Sequence, residues 1–184
     1  LYLLNIHIKM KLNNKNVIIT GGASGMGKAT AELFCSEGAK VAIMDINKTE
    51  GEKTINKINL NNEKAFFFHT DLTKSNEVKK SINKITDLFD KVDILFNHAG
   101  TIIVKPVHKS SEEDYDYLMN TNVRSAFLVC KEVIPIMLKN KGGNIIITSS
   151  IGGEKGFALE SLYCMTKGAV LQLARSIAVE YRDQ

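Results

Sequence analysis

Short apolar runs alternate with segments of helical period along this chain of 184 residues. The proposed strands cover residues 16–20, 40–44, 65–69, 93–96 and 144–149. Strands separated by helices form a parallel sheet with helices on both faces, because each connection must cross back over the sheet. The pattern predicts an α/β fold with a doubly wound parallel sheet, and right-handed crossovers predict the strand order 3-2-1-4-5.

Composition places the chain among ordinary globular proteins. Hydrophobic residues make up 44% of the chain and charged residues 24%, which argues against a mainly disordered protein. The length suits one domain, which we expect to span residues 10–184. The net charge of +4 comes from lysines scattered along the sequence, so we expect no nucleic-acid partner.

The cysteines and histidines show no ligand spacing. Cys35, Cys130 and Cys164 lie far apart, which suits neither a disulfide framework nor a metal centre. We therefore predict no metal and a reducing compartment.

The first methionine is Met10, so residues 1–9 are interpreted as an N-terminal extension that need not be native. This segment is too short to span a membrane and lacks the features of a signal peptide. We expect a cytoplasmic protein without membrane partners.

A glycine-rich turn, Thr-Gly-Gly-Ala-Ser-Gly-Met-Gly, occupies residues 20–27 between the first strand and a helical segment. Glycines permit a tight turn and a close approach of the backbone to a pyrophosphate, whose charge is favoured at a helix N-terminus. A flexible turn is the alternative, but the position between strand and helix favours a phosphate site. The candidate cofactor-binding residues in this turn are Gly21, Ser24, Gly25, Met26 and Gly27.

Asp45 ends the second strand, 18 positions after Gly27. This spacing is typical of the acid that binds the adenosine ribose of a dinucleotide. A carboxylate accepts hydrogen bonds from the two ribose hydroxyls and repels a 2′-phosphate, and neither Ser24 nor Ile46 supplies a basic side chain. We therefore predict NAD as the cofactor, with a simple helix-starting role for Asp45 as the alternative.

Ser150, Tyr163 and Lys167 form the candidate catalytic set. Tyr163 and Lys167 are four residues apart and would share one face of a helix. A free tyrosine titrates near pH 10, so a nearby ammonium is needed to favour its phenolate at neutral pH. Ser150 follows the last apolar run and could hydrogen-bond the same substrate oxygen.

Together these residues resemble the short-chain dehydrogenase/reductase family. Its Thr-Gly-x-x-x-Gly-x-Gly turn and its Ser and Tyr-x-x-x-Lys active site match residues 20–27, Ser150, Tyr163 and Lys167. The resemblance runs from about residue 15 to the last residue. It implies a Rossmann fold and an oxidoreductase that transfers hydride between NAD(H) and a secondary alcohol or ketone.

The resemblance implies further site residues. Asp71 and Leu72 would flank the adenine, and Asn97, Ala99 and Gly100 would form a turn beside the cofactor, in which His98 departs from the family's second asparagine. Asn122, with Asn120 as its competitor, would hold a water beside the active-site lysine. Tyr163 would act as acid and base, Ser150 would polarise the oxygen, and Lys167 would also bind the nicotinamide ribose.

Family members continue through a sixth and a seventh strand, so the resemblance also implies that the domain is incomplete at its C-terminus. One alternative function is therefore a dinucleotide-binding sensor or interaction protein without catalysis. Another is an NADPH-dependent carbonyl reductase. The family's usual assembly implies a homodimer or homotetramer formed through helices at 111–139 and 162–181, the first opening with a capping box from Ser110 to Glu113.

Overall fold

One parallel sheet of five strands forms the centre of the molecule. The computed structural model describes residues 10–60 and 64–184, so the proposed extension at 1–9 lies outside the described residues. The strands are β1 (Asn16–Thr20), β2 (Lys40–Asp45), β3 (Ala65–His69), β4 (Ile94–Asn97) and β5 (Asn144–Ile147). Their order is β3-β2-β1-β4-β5, which confirms the predicted topology.

Six α-helices lie in the described part of the chain and cover both faces of the sheet. They are α1 (Gly25–Ser36), α2 (Lys48–Asn59), α3 (Ser75–Phe89), α4 (Glu112–Leu118), α5 (Ser125–Lys139) and α6 (Ser161–Glu180). No helix among the described residues combines the length and the apolar character needed to cross a membrane.

Successive side chains of β1 belong to two hydrophobic clusters, one on each face of the sheet. Ile18 points into a cluster with side chains of α3 and α5, whereas Val17 and Ile19 point to the opposite face. All three side chains have no exposed surface. Because successive residues of a strand face opposite sides, apolar side chains at consecutive positions require a sheet that is covered on both faces.

The strand ends differ slightly from the predicted ones. The sequence places β4 at 93–96, but Asp93 precedes the strand, and its carboxylate accepts a 2.9 Å hydrogen bond from the Asn16 N–H. The predicted last strand reaches residue 149, whereas β5 ends at Ile147. Residues 148–150 instead leave the sheet at its carboxyl edge, where they reach the candidate site.

The predicted helix at 111–139 is two helices separated by a π-helical turn. Met119–Arg124 form this turn between α4 and α5, and its buried member is Asn122. π-Helical turns inside helices are frequent at functional sites, because they displace side chains that an unbroken α-helix would place elsewhere.

The capping box of α4 is one residue later than predicted. Ser111, not Ser110, is the N-cap, and it exchanges hydrogen bonds with Asp114. Ser110 instead donates its hydroxyl to the carbonyl of Pro106 in the preceding turn. Ser110 therefore lies outside the helix, and the capping box begins at Ser111.

The two long helical regions expose apolar side chains on their outer faces. Phe127 of α5 is 48% exposed and Val179 of α6 is 70% exposed. Such positions suit self-association, which stays a prediction.

Candidate active site

The glycine turn joins β1 to α1 in a conformation that only small residues permit. Gly21 has φ of +70°, and a Cβ there would lie 2.9 Å from the Cα of Ala99. A Cβ on Gly27 would lie 2.1 Å from the carbonyl oxygen of Gly21. The glycines therefore allow both the turn itself and its contact with the chain after β4.

The N-terminus of α1 fits an anionic group. Ser24 occupies the N-cap, yet its side chain makes no capping hydrogen bond, and the first turn has no acidic residue. The first N–H groups of a helix have no partner within the helix, and its dipole favours negative charge there. A Cβ added to Gly25 would meet no atom within 4 Å, so open space lies in front of these groups. A pyrophosphate could be held there.

Asp45 is held against this turn. Its Oδ2 accepts a hydrogen bond of 3.0 Å from the Ala23 N–H, and its Oδ1 accepts one of 2.9 Å from the Asn47 N–H. The carboxylate is half-buried at the end of β2 and lines the same opening as Gly21 and Gly25. Its position is compatible with binding a ribose beside the pyrophosphate.

A crevice of about 1360 Å³ runs along the carboxyl edge of the sheet. Nine of the predicted cofactor-binding residues line it: Gly21, Ser24, Gly25, Met26, Asp45, Asp71, Leu72, Ala99 and Gly100. The other predicted cofactor residues, Gly27, Asn97, Tyr163 and Lys167, do not line it. The crevice therefore brings together residues that the sequence predicts for the phosphate, ribose and adenine of a dinucleotide.

Asp71 and Leu72 follow β3 and are the residues predicted to flank an adenine. The Asp71 Oδ1 accepts hydrogen bonds of 3.0 Å from the Thr73 N–H and 2.7 Å from the Thr73 hydroxyl. Leu72 is only 9% exposed and packs with the core while still lining the crevice. Leu72 thus gives this part of the crevice an apolar wall, and Asp71 gives it a carboxylate.

Asn97 is buried behind the crevice rather than in it. Its Oδ1 accepts a 3.0 Å hydrogen bond from the Thr20 hydroxyl, and its Nδ2 donates at 2.9 Å to the carbonyl of Ala126. The side chain thus ties β4 to β1 and α5 and does not itself face the crevice.

Thr20 is a site residue that sequence reasoning did not single out. Its hydroxyl accepts hydrogen bonds from the His98 N–H at 2.9 Å and the Ala99 N–H at 3.1 Å while donating to Asn97. These bonds fix the turn after β4 against the glycine turn. Two signals were available in the sequence: its place at the end of β1 and its place as the first residue of the Thr-Gly-x-x-x-Gly-x-Gly turn.

Ser150 and Tyr163 lie on either side of Gly152. The Ser150 Oγ accepts a 3.1 Å hydrogen bond from the Gly152 N–H. A Cβ added to Gly152 would lie 3.5 Å from that Oγ and 3.7 Å from Cδ1 of Tyr163. The hydroxyl and the phenol ring therefore border one small space, as two groups that share a substrate oxygen must.

Lys167 is buried beside Tyr163 on α6. Only 6% of the residue is exposed, and Nζ lies 5.7 Å from the centre of the Tyr163 ring. Nζ donates a 3.0 Å hydrogen bond to the carbonyl of Thr148. Burial lowers the pKa of Lys167 below its ordinary value, because desolvation disfavours the ammonium.

Asn122, rather than Asn120, lies next to this lysine. It is 2% exposed; its Oδ1 accepts from the Thr101 N–H at 2.7 Å, and its Nδ2 donates to the Thr101 carbonyl at 2.8 Å and the Thr166 hydroxyl at 2.9 Å. A Cβ added to Gly100 would lie 3.1 Å from Asn122 Oδ1 and 3.4 Å from Lys167 Nζ. Gly100 is therefore the point at which the crevice meets the candidate catalytic residues.

His98 keeps the turn in place although it departs from the family pattern. Its backbone N–H makes the bond to Thr20, and its Nδ1 lies 2.9 Å from the Thr148 hydroxyl. In the described part of the chain, no group of three or more histidine, cysteine or acidic residues is placed to hold a metal.

Comparison with known proteins agrees with this geometry. The family model described as short chain dehydrogenase matches residues 15–184. The uncharacterized oxidoreductase YxbG of Bacillus subtilis (strain 168) is 41% identical over 172 residues, which are 93% of this chain and 63% of that protein. Cyclopentanol dehydrogenase of Comamonas sp. (strain NCIMB 9872) is 37% identical over 170 residues, 92% of this chain and 68% of that protein.

Solved structures share the fold. NAD⁺-bound xylitol dehydrogenase has a TM-score of 0.89 and 30% identity, covering 92% of this chain and 66% of that one. Levodione reductase has a TM-score of 0.89 and 29% identity, covering 94% of this chain and 68% of that one. Because the family model and these relatives cover nearly all of the sequence that builds the sheet and the crevice, the chain belongs to the short-chain dehydrogenase/reductase family of oxidoreductases.

Proposed function

We propose that this protein transfers hydride between NAD(H) and a secondary alcohol or ketone. The observation that carries the proposal is the buried Lys167 ammonium, which lies 5.7 Å from the centre of the Tyr163 ring and next to Gly100 of the crevice. A buried positive charge beside a phenol favours the phenolate, which can then accept a proton from an alcohol.

The dinucleotide would be held by three parts of the crevice. The N-terminus of α1 would meet the pyrophosphate, Asp45 the adenosine ribose, and Leu72 the adenine. The carboxylate of Asp45 would repel a 2′-phosphate, which supports a preference for NAD over NADP. When bound, NAD(H) supplies the hydride acceptor or donor.

Tyr163 is the acid and base of the proposed reaction. In the oxidation direction the alcohol loses a hydride from carbon and a proton from oxygen, and the phenolate of Tyr163 accepts that proton as the carbonyl forms. In the reduction direction the phenol returns the proton. Ser150 donates a hydrogen bond to the same oxygen, and Lys167 stabilises the phenolate.

Asn122 has a supporting role in the proposal. Its buried side chain joins Thr101 to Thr166 on α6, one residue from Lys167. It would hold this end of the crevice together and organise a water behind the ammonium. Relatives support the substrate class, since cyclopentanol and xylitol, named in two of them, both carry secondary hydroxyl groups.

The direct test compares Tyr163→Phe with the wild type in NADH formation at 340 nm, using cyclopentanol and xylitol first and then a wider panel of secondary alcohols. We expect kcat/KM to fall by about 10² to 10⁴, the usual contribution of a positioned acid or base. Affinity for NADH, measured by fluorescence, should change little. Tyr115→Phe is the matched control, because Tyr115 is exposed on α4 and does not line the crevice.

Near-normal turnover by Tyr163→Phe would refute the assignment of acid and base. NADH binding by the wild type without turnover of any alcohol would instead favour the dinucleotide-binding alternative.

A further inference from the structure

The side chain of His98 has no part in the proposed reaction, yet it lies in the wall of the site. It borders both the dinucleotide crevice and a smaller cavity of about 350 Å³. Its ring stacks on Phe96 with 5.1 Å between centroids and 21° between planes. The imidazole is thus fixed in orientation and only partly exposed.

A short chain of contacts connects this imidazole to Lys167. Nδ1 of His98 lies 2.9 Å from the Thr148 hydroxyl, and the Thr148 carbonyl accepts the 3.0 Å hydrogen bond from Lys167 Nζ. The Thr148 N–H donates to the carbonyl of Asn97 at 3.0 Å. Thr148 is therefore anchored through its side chain by His98 and through its N–H by the end of β4, while its carbonyl holds the ammonium.

The charges around the imidazole make this connection sensitive to protonation. Lys167, from α6, is the charged group that faces His98. The other residues that line the smaller cavity with His98 are uncharged, namely Met26, Ala29, Thr30, Leu33, Phe96 and Thr148. Burial, and then the charge of Lys167, lower the pKa of His98 from its ordinary value of 6.5. The crevice carboxylates, Asp45 and Asp71, follow β2 and β3, away from this wall.

We propose that His98 is a positioning residue for Lys167: through Thr148 it holds the ammonium beside Tyr163, and its protonation lowers turnover by placing a second cation next to that ammonium. The role depends on the proposed function, since the position of Lys167 matters to turnover only if Tyr163 reacts.

Three substitutions separate the hydrogen bond from the charge. His98→Asn places an amide near the position of Nδ1, so it can keep the bond to Thr148 and cannot become a cation. His98→Leu fills a similar volume without a polar group. Thr148→Val removes the hydroxyl while keeping the β-branched shape and the backbone carbonyl.

The activity test measures NAD⁺-dependent oxidation of cyclopentanol, or of the best alcohol in the panel, between pH 5 and pH 9. At pH 9 we expect His98→Asn to turn over about tenfold faster than His98→Leu and Thr148→Val, the effect of a lost interaction of about 1.4 kcal/mol. From pH 8 to pH 5, the wild type should lose about tenfold more activity than His98→Asn.

A second test needs no turnover. NMR titration of the imidazole should show a higher pKa of His98 in Lys167→Met than in the wild type, because a neighbouring positive charge has been removed. Backbone amide spectra of the two proteins, recorded over the same pH range, are the control for a change in fold.

Identical pH profiles for wild type and His98→Asn, or an unmoved His98 titration in Lys167→Met, overturn the positioning role while leaving the proposed function intact. Equal turnover of His98→Asn and His98→Leu at pH 9 does the same. If His98→Leu does not fold, turnover of Thr148→Val is compared with that of the wild type at pH 9. Equal turnover of these two proteins overturns the positioning role. Absence of wild-type turnover with every alcohol removes the proposed function and the positioning role together.

Discussion

At the scale of single residues, a buried ammonium dominates the candidate site. Lys167 is 6% exposed and donates to one backbone carbonyl, that of Thr148. Removing a charge from water is costly, and a single neutral acceptor compensates only part of that cost. Lys167 is therefore expected to reduce the stability of the fold while serving its chemistry.

Replacement of Lys167 by methionine tests this trade-off. The variant keeps an unbranched chain of similar length without the charge, so we expect its free energy of unfolding to be unchanged or raised by about 1 kcal/mol. Turnover should fall at least about 10²-fold. Urea unfolding and NADH formation measure the two effects.

The pH dependence of stability is a second test of the buried ammonium, because the direction of the change with pH can be derived. The pKa of Lys167 is lower in the folded state than its ordinary value of 10.5, so the unfolded chain binds more protons between those two values. Stability of the wild type relative to Lys167→Met should therefore rise with pH across that window. A marked loss of stability in Lys167→Met at neutral pH would contradict this account.

Asp45 carries the expected cofactor preference. Asp45→Asn preserves the size of the side chain and removes the negative charge that would oppose a 2′-phosphate. We expect the ratio of NADPH to NADH affinity to rise about tenfold, or roughly 1.4 kcal/mol, in fluorescence titrations. Asp87→Asn, on the exposed face of α3, is the control and should leave the ratio unchanged. An unaltered ratio in Asp45→Asn would remove Asp45 from the ribose site.

Sequence reasoning identified residues with unusual chemistry and missed their partners. Tyr163 and Lys167 could be predicted as a functional pair because a spacing of four residues places them on one face of a helix. Thr20 was noted only as the first residue of the glycine turn and Thr148 only as part of the last strand, although each organises the site through hydrogen bonds. Threonine has no distinctive chemistry, and these contacts join residues as far apart as Thr20 and Ala99, 79 positions along the chain. These contacts form only when the strands pack side by side in the sheet, so they cannot be read from the sequence.

At the scale of elements, β1, the glycine turn and α1 pack closely against one another and against the turn after β4. Gly21, Gly25 and Gly27 permit contacts between β1, α1 and the turn after β4 that a side chain would block or strain. The alternation of apolar runs predicted the strands and helices, the glycine motif predicted the turn, and right-handed crossovers within the doubly wound topology predicted the strand order.

Gly27→Ala tests the close packing of the glycine turn. Its Cβ would lie 2.1 Å from the Gly21 carbonyl oxygen, so the turn must move. We expect the free energy of unfolding to fall by about 2 kcal/mol or more, with weaker NADH binding. Gly156→Ala is the matched control, since a Cβ there meets no atom within 4 Å, and it should change stability by less than about 0.5 kcal/mol. Equal effects of the two substitutions would show that the close contact is not present in solution.

The π-helical turn at Met119–Arg124 could not be predicted from local pattern. Its sequence continues the helical period of its neighbours, and the change in hydrogen bonding accompanies the contacts of Asn122 with Thr101 and Thr166. These are tertiary contacts, so local propensity carries no signal for them.

At the scale of the whole molecule, parallel strands bring distant segments to one edge. The glycine turn, Asp45, Leu72 and Gly100 follow β1 to β4, and Ser150 follows β5. Lys167 reaches the same edge from α6 through Thr148. The topology thus brings six separate segments to one edge of the sheet, and four of them line the crevice. This convergence is the property that the proposed reaction requires.

Chemical-shift mapping of the backbone amides during titration with NADH tests this convergence most directly. We expect concerted shifts at Gly25, Asp45, Leu72, Gly100 and Lys167 with one common dissociation constant, and no comparable shifts at exposed control positions such as Asp87. Shifts confined to one of these segments, or located away from the carboxyl edge of the sheet, would contradict a single dinucleotide crevice that ends at Tyr163 and Lys167.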